Sequence, residues 1–301
     1  MRVLAIFGPT AVGKTGVAIE VGELLRARGE DPVAISCDAI QVYQGLEILS
    51  GAATAEERER LEHRMLGIVP IDGEFSAGRF ANLVHPEIDQ LLAEDRRPIL
   101  VGGTGLYMRA ALSELELRPP VPAEVRDAVE REIAERGPAA LHAELSPELV
   151  SGVHPNDRKR IARLTELTRL GIAPHSSAER LWSEDLRVAA TLIGLTVDRE
   201  ELRRRVPVRV EEMLRRGAVE EVRAADAAGA SRTARAAIGF EELLAGDVEG
   251  MKRAQLRYAR RQLTWMRRME GVTLIDRAGR SDREVAGEIV GLLDREEEGE
   301  R

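Results

Sequence analysis

Apolar residues first gather in Val3-Leu4-Ala5-Ile6-Phe7, a run of strand length that leads directly into Gly8-Pro9-Thr10-Ala11-Val12-Gly13-Lys14-Thr15. Because the run shows no polar alternation, it suits a strand covered on both faces, as in a parallel sheet. Past the glycines the spacing becomes helical from about Gly16 to Arg28, and Val33-Ala34-Ile35-Ser36 predicts a second strand with Asp38 at its C-terminal end. Thr54 to Leu66 reads as a helix, and Ser76 to Glu94 as another whose apolar face is Leu83, Ile88, Leu91 and Leu92. Pro98-Ile99-Leu100-Val101 is a short buried strand ending at Gly102-Gly103-Thr104-Gly105, followed by a helix from Leu106. Strands alternating with helices predict an α/β fold, a doubly wound parallel sheet.

The texture changes at Arg118. Pro119, Pro120 and Pro122 break the chain, and helical stretches follow without a strand pattern until about Val188, which predicts an inserted all-helical lobe. Its clearest helix is capped by Asn156 or Asp157 and stops at Gly171. Ala189 to Leu195 returns the chain to the sheet, helices follow from Arg199 to Arg216 and Met251 to Met269, and Val272 to Ile275 is a last strand. The predicted organisation is a P-loop core of 1–117 plus 188–285, a lobe of 118–187, and an acidic C-terminal tail of 286–301, frayed over Asp294 to Arg301.

Composition narrows the class. A chain of 301 residues is long enough for one large core with an inserted lobe. The lone Cys37 excludes an intramolecular disulfide framework and fits a reducing cytosol. No secretory signal and no uncharged run of about 20 residues is present, so a cytoplasmic, soluble protein is expected. A formal charge of −8 argues weakly against nucleic acid, but the charges are segregated: Met251 to Met269 carries Lys252, Arg253, Arg257, Arg260, Arg261, Arg267 and Arg268 and no acid. Within that helix Leu256, Ala259, Leu263 and Met266 form an apolar stripe. The arginines beside it would repel one another unless they met an anion, and RNA phosphate is the natural one.

The octapeptide between the first strand and helix has the spacing of a P-loop. Its glycines let successive backbone N–H groups curl around phosphate oxygens, the helix start adds a positive dipole end, Lys14 adds a cation, and Thr15 would place a hydroxyl on Mg²⁺. The motif is that of ATP-binding proteins, yet γ-phosphoryl transfer calls for a second acid at the end of a later strand. Here that strand ends in Gly-Gly-Thr, and the acid at the sheet rim is Asp38. Its carboxylate could ligand Mg²⁺ through water, cap a helix, or accept a proton from a nucleophile.

Taken together the motifs resemble those of tRNA dimethylallyltransferases. Gly8 to Thr15, Asp38 to Tyr43, Gly102 to Tyr107, His154-Pro155-Asn156-Asp157 with Lys159, Arg160 and Arg163, Ile238 to Glu241, and Arg260 to Trp265 follow the family's order over almost the whole chain. The resemblance implies that the loop residues Gly8, Pro9, Thr10, Ala11, Val12, Gly13, Lys14 and Thr15 hold dimethylallyl diphosphate. It further implies that the five-carbon group passes to the exocyclic amine of the adenine 3′-adjacent to a tRNA anticodon. In that reading Asp38 is the base, and Lys14, Thr15 with Mg²⁺, and Arg209 neutralise the departing diphosphate. Asp38, Ala39, Ile40, Gln41, Thr104 and Arg126 match tRNA-contacting positions, and Lys159, Arg160, Arg163, Arg257, Arg260 and Arg261 suit phosphate contacts. A monomer is expected.

Read without the family, the segment around Arg209 is a basic amphipathic helix, in which Pro207 fits a first turn but kinks a longer helix. Trp265 reads as core in preference to base stacking. The chain departs from the family at Ala39, where Ser is usual, at Ser50-Gly51-Ala52-Ala53 in place of Thr-Ala-Lys-Pro, at Gln255-Leu256 in place of Thr-Arg, and at Phe240 in place of Tyr. These changes bear on the RNA contacts more than on the P-loop or Asp38. The rival readings are a small-molecule kinase and prenyl transfer to free adenine nucleotides.

Overall fold

The computed structural model describes residues 1–114, 121–172 and 185–299. Its strands are β1 (Val3–Phe7), β2 (Asp31–Ser36), β3 (His63–Arg64), β4 (Arg96–Gly102), β5 (Ala190–Thr196) and β6 (Val272–Asp276). They form one all-parallel sheet in the order β3-β2-β4-β1-β5-β6. The helices of the first half are α1 (Lys14–Arg26), α2 (Glu47–Ser50), α3 (Ala55–Arg60), α4 (Ala77–Ala93), α5 (Gly105–Leu112), α6 (Ala123–Arg136), α7 (Pro138–Glu144) and α8 (Arg158–Arg169). Those of the second are α9 (Arg199–Arg215), α10 (Ala218–Ala227), α11 (Arg232–Arg235), α12 (Phe240–Leu244), α13 (Val248–Met266) and α14 (Asp282–Gly299).

Side chains alternate across a strand, and every residue of β1 is buried, so both sheet faces are covered. Leu4, Ile6, Ile99, Ile193 and Leu195 pack with Val17, Val21 and Leu25 of α1 and Val285, Ile289 and Leu293 of α14. In parallel sheets the ligand edge is the C-terminal one. At that edge β1 delivers the P-loop, β2 delivers Asp38 and β4 delivers Thr104.

Contacts divide the chain into two compact units, Met1–Leu115 with Arg180–Arg301 and Glu116–Glu179. The second unit holds α6, α7 and α8 around Val129, Ile133, Leu141, Ile161 and Ala162. Asp157 is the cap of α8, its carboxylate accepting the Arg160 N–H. The expected boundaries near 117 and 187 stand beside or within stretches of which 115–120 and 173–184 lie outside the described residues.

The structure corrects several expectations. The helix expected over Thr54 to Leu66 ends at Arg60, because Leu61 turns inward against Gly22 of α1 and His63 and Arg64 pair with β2 as an edge strand. In α4 the buried side chains are Phe80, Val84, Ile88 and Leu91, whereas Leu83 is 41% exposed. Pro207 stands inside α9 without ending it. A proline there removes one N–H from the helix ladder, a loss that burial of Val206, Val210 and Met213 outweighs. The short helices α10 to α12 carry no long apolar period and were not legible as separate elements.

The expected acidic tail is the largest correction. Residues 286–299 are helical, and Val285, Ala286, Ile289, Val290 and Leu293 make an apolar stripe against the core. Its acids find cations from distant segments: Asp294 meets Arg28 at 2.8 Å, Glu296 meets Arg2 at 3.1 Å and Glu297 meets the buried Arg97 at 2.9 Å. A charge run that looked solvated is therefore the paired face of a docked helix.

Candidate active site

The P-loop closes over the end of β1. Ala11 and Gly13 adopt φ of 64° and 90°, the left-handed turns that reverse the backbone so that successive N–H groups converge. Gly13 is also the N-cap of α1, so the loop runs straight into a helix N-terminus. Gly8 has little room for a side chain, since a Cβ there would lie 3.0 Å from both the Leu195 carbonyl oxygen and Val12 Cγ1.

Remote elements hold this loop. Gln262 of α13, 4% exposed, accepts the Thr10 N–H at 2.8 Å and donates to the Gly103 carbonyl at 2.8 Å, tying the loops after β1 and β4 to one amide. Arg205 of α9 donates to the Val12 carbonyl at 3.4 Å. The Arg277 guanidinium lies against the bare face of Gly13, 2.9 Å from where a Cβ would stand, and is paired with Asp282 at the start of α14. Asp282 in turn fills the space above Gly16. The corner between β6 and α14 is thus the outer wall of the P-loop.

Lys14, Arg209 and Asp38 share one electrostatic neighbourhood. Lys14 Nζ donates to the Gly8 and Pro9 carbonyls, each at 3.0 Å. Burial and then the nearby Arg209 charge lower its pKa to about 8, against the opposing pull of Asp38. Burial likewise depresses Arg209, again against the pull of Asp38. Arg209 Nη2 donates to the Ser50 carbonyl at 3.5 Å, and its Nε is buried with no hydrogen-bond partner among the described residues. The guanidinium occupies the space beside Gly51, at φ 62°, where any Cβ would stand 2.0 Å from Nη2. The departure at Gly51 therefore lets Arg209 lie against the backbone.

Asp38 builds its own turn after β2. Oδ1 accepts the N–H of Ile40 at 2.9 Å and of Gln41 at 3.4 Å, while Oδ2 faces the Thr104 hydroxyl at 3.4 Å. Of the roles left open above, capping thus engages one oxygen only. Gln41 is locked in place: it accepts from Ser36 Oγ at 2.7 Å and donates to the Gly51 carbonyl at 3.2 Å. Ala39, Ile40 and Gln41 are half-buried beside it. Thr104 Oγ lies 3.1 Å from the Tyr258 hydroxyl of α13.

The structure brings together Gly8 to Thr15, Asp38 to Gln41, Thr104 and Arg209 in the first unit. Arg126, Lys159, Arg160 and Arg163 lie in the second, on α6 and α8. Their surroundings are partly acidic: Arg160 faces Asp157 at 3.5 Å, Arg163 faces Glu166 at 3.3 Å, and Arg126 donates to the Val121 carbonyl. On α13 the expected absence of acidic partners fails at the N-terminal end, where Lys252 meets Glu211 and Glu249 at 3.3 and 3.0 Å and Arg253 meets Asp247 at 3.6 Å. Farther along, Arg257, Arg260 and Arg267 are exposed and pair with no acid among the described residues, and Arg261 stacks over Tyr258 at 5.5 Å.

Sequence reasoning missed Tyr258, Gln262, Arg205 and Arg277. The buried stripe of α13 is Met251, Ala254, Gln255, Ala259, Gln262 and Met266, turned from the expected one so that Leu256 and Leu263 are only half-buried. A pair of glutamines seven residues apart on the apolar side was the available signal. Trp265 is half-buried, its ring over Gly105 at the start of α5.

Among the described residues no group of three or more His, Cys, Asp or Glu is arranged to hold a metal, and no helix is long and apolar enough to cross a membrane. The family model for IPP transferase matches residues 41–269. The tRNA dimethylallyltransferase of Thermobifida fusca is 37% identical over 280 residues, 88% of this chain and 87% of that protein. Its counterpart in Acetivibrio thermocellus is 36% identical over 294 residues, 92% of each. The crystal structure of the full-length tRNA isopentenylpyrophosphate transferase from Bacillus halodurans superposes with a TM-score of 0.69 at 30% identity, covering 99% of both chains.

Proposed function

The chain belongs to the IPP transferase family, and from that membership we propose that it transfers the dimethylallyl group of dimethylallyl diphosphate to N6 of the adenine 3′-adjacent to a tRNA anticodon, releasing diphosphate. The observation that carries the reading is the grouping of Lys14, Arg209 and Asp38. Two buried cations act on one another, and Asp38 is the carboxylate that pulls on both, a field that favours a multiply charged anion. The convergent N–H groups of Gly8 to Thr15 and the start of α1 suit its phosphate oxygens.

The chemistry follows from that arrangement. As the allylic C–O bond breaks, its electron pair moves to the diphosphate, and the preorganised field of Lys14, Arg209 and the loop amides stabilises the growing charge. The aromatic amine attacks the allylic carbon and must lose a proton as the C–N bond forms. Asp38 Oδ2, the oxygen that the backbone leaves unoccupied, takes it. Magnesium fits the residues present in the manner that ion favours, with few protein oxygens: Thr15 opens α1 with a hydroxyl that holds no hydrogen bond among the described residues. Such an ion would neutralise part of the leaving group's charge.

For the RNA, Ala39 to Gln41 flank the base that takes the proton, and the exposed Arg257, Arg260 and Arg261 suit backbone phosphates. On the helical unit, Arg126, Lys159, Arg160 and Arg163 are further candidates for RNA contact. We take the protein to act as a monomer, and its free thiol, Cys37, fits the reducing cytosol. A kinase is disfavoured because β4 ends in Gly102-Gly103-Thr104 with no metal-shell acid.

The deciding assay offers the protein labelled dimethylallyl diphosphate and Mg²⁺ with a tRNA anticodon stem-loop bearing adjacent adenines, and separately with AMP and ATP. Label is expected on the RNA. Label on free nucleotides alone would replace the acceptor, and ATP turnover without prenylation would establish the kinase reading.

A further inference from the structure

The two oxygens of the Asp38 carboxylate are not equivalent, and the difference extends beyond that side chain. Oδ1 is engaged by the Ile40 and Gln41 amides, so Oδ2 is the basic atom. Thr104, 3.4 Å away, occupies the N-cap position of α5, where a threonine hydroxyl ordinarily accepts a helix N–H. Here it makes no such bond. Its hydroxyl is turned instead between Asp38 Oδ2 and the Tyr258 hydroxyl, 3.1 Å on its other side. Residues from the end of β2, the start of α5 and the middle of α13 thus make a continuous line of oxygens.

We propose that Thr104 and Tyr258 form a proton relay that serves Asp38, with Thr104 touching the base and Tyr258 acting through it as a positioning residue. The inference rests on the prenyl-transfer reading given above. Before reaction the Tyr258 O–H donates to Thr104 and the Thr104 O–H donates to Oδ2, which stabilises the carboxylate. Once Oδ2 has taken the amine proton, both hydroxyls turn. Oδ2–H then donates to Thr104, Thr104 to Tyr258, and Tyr258 to water; one proton shifts along each link and one leaves to solvent. The carboxylate is regenerated, and the proton that leaves balances the one that entered.

The surroundings suit this role. Burial, then the Asp38 charge, pushes loss of the Tyr258 proton above its ordinary range, so the phenol stays a donor. The other groups that feel Asp38 are Lys14 of α1, Arg209 of α9, Tyr107 of α5 and the adjacent Cys37. Burial pushes Tyr107 and Cys37 upward as well, so both stay protonated beside the carboxylate. The Arg261 guanidinium over the Tyr258 ring holds the phenol's orientation.

The test uses Thr104→Val, Thr104→Ser and Tyr258→Phe in the full chain. Single-turnover transfer to the stem-loop is followed across pH, together with pyrophosphate and RNA affinity and the Asp38 titration by carboxyl-detected NMR. Loss of a donor disfavours the carboxylate, so the acid limb and the Asp38 pKa should rise, by about 0.5–1 unit in Thr104→Val and less in Tyr258→Phe. Rates should fall on the order of 10–100-fold in Thr104→Val and less in Tyr258→Phe, with pyrophosphate affinity held and with recovery in Thr104→Ser. An unmoved Asp38 titration in both variants, or a loss carried wholly by RNA affinity, overturns the relay. A wild-type protein that prenylates no RNA yet shows the shifted Asp38 titration would overturn the reaction assignment and leave the hydrogen-bonded line standing.

Discussion

The phosphate half and the acceptor half of the site leave the same sheet edge, from β1 and from β2, but they are held by opposite means. The P-loop is braced from outside, by Gln262 of α13, Arg205 of α9 and Arg277 beyond β6, each acting on its backbone or against a glycine. The Asp38 turn is braced by itself, one carboxylate oxygen accepting the amides of the next residues. A cradle made of backbone N–H groups loses its function if the path shifts, so it is locked on every side. A base needs one oxygen left open, and the self-made turn provides it.

The largest test of this division is Asp38→Asn. Transfer should fall by about 10²–10⁴-fold, while pyrophosphate affinity, measured by calorimetry, holds or tightens because the cations lose their competing carboxylate. Weakened pyrophosphate binding of similar size would merge the two halves into one unit.

Gly13→Ala should give the reverse pattern. The new methyl meets the Arg277 guanidinium and the backbone sits at φ 90°, so stability should fall by about 1–3 kcal/mol and pyrophosphate binding with it. Thermal denaturation and calorimetry read both. An Asp38 titration unchanged by the substitution would confirm that the acceptor turn is independent of the loop.

Lys14 supplies a milder probe. Its pKa is lowered to about 8 by burial, so the charged form is the disfavoured one in the ligand-free fold. The resulting destabilisation is fully present below about pH 8 and disappears as pH rises toward the ordinary lysine value. Pyrophosphate needs the ammonium, so its affinity should weaken as pH rises through about 8, with net proton uptake on binding. Binding heats that do not depend on the buffer's ionisation enthalpy at pH 8.5 would contradict this.

The smallest effect separates two basic helices. On α8, Arg158, Arg160, Arg163 and Arg169 each face an acid, whereas Arg257 and Arg260 of α13 face none among the described residues. Arg260→Glu with Arg261→Glu should lower stem-loop affinity and flatten its salt dependence more than Lys159→Glu with Arg160→Glu. Equal slopes would mean that pairing within a helix does not decide which cations reach the RNA.

The site's legibility divides along the same line. Gly8 to Thr15 could be read because backbone chemistry imposes glycine at fixed spacing, and β1, β2, β4 and β5 because buried parallel strands are continuous apolar runs; β6, at the sheet edge, kept only a short apolar run with Ile275 buried. Asp38 was legible as an acid at a strand end. Thr104 was read as an RNA contact, and its hydrogen bonds to Asp38 and Tyr258 depend on α5 and α13 meeting, which no local pattern records.

Local chemistry along the chain therefore determined the α/β class, the anion cradle and the acid beside it, since each is written in contiguous residues. Tertiary structure alone decided that the acidic C-terminal segment is a docked helix, that Gln262 and Arg277 wall the cradle, and that Tyr258 stands behind Thr104. Those outcomes depend on partners that lie far apart in sequence, such as Arg97 with Glu297 and Thr10 with Gln262, and only packing brings them within hydrogen-bond reach.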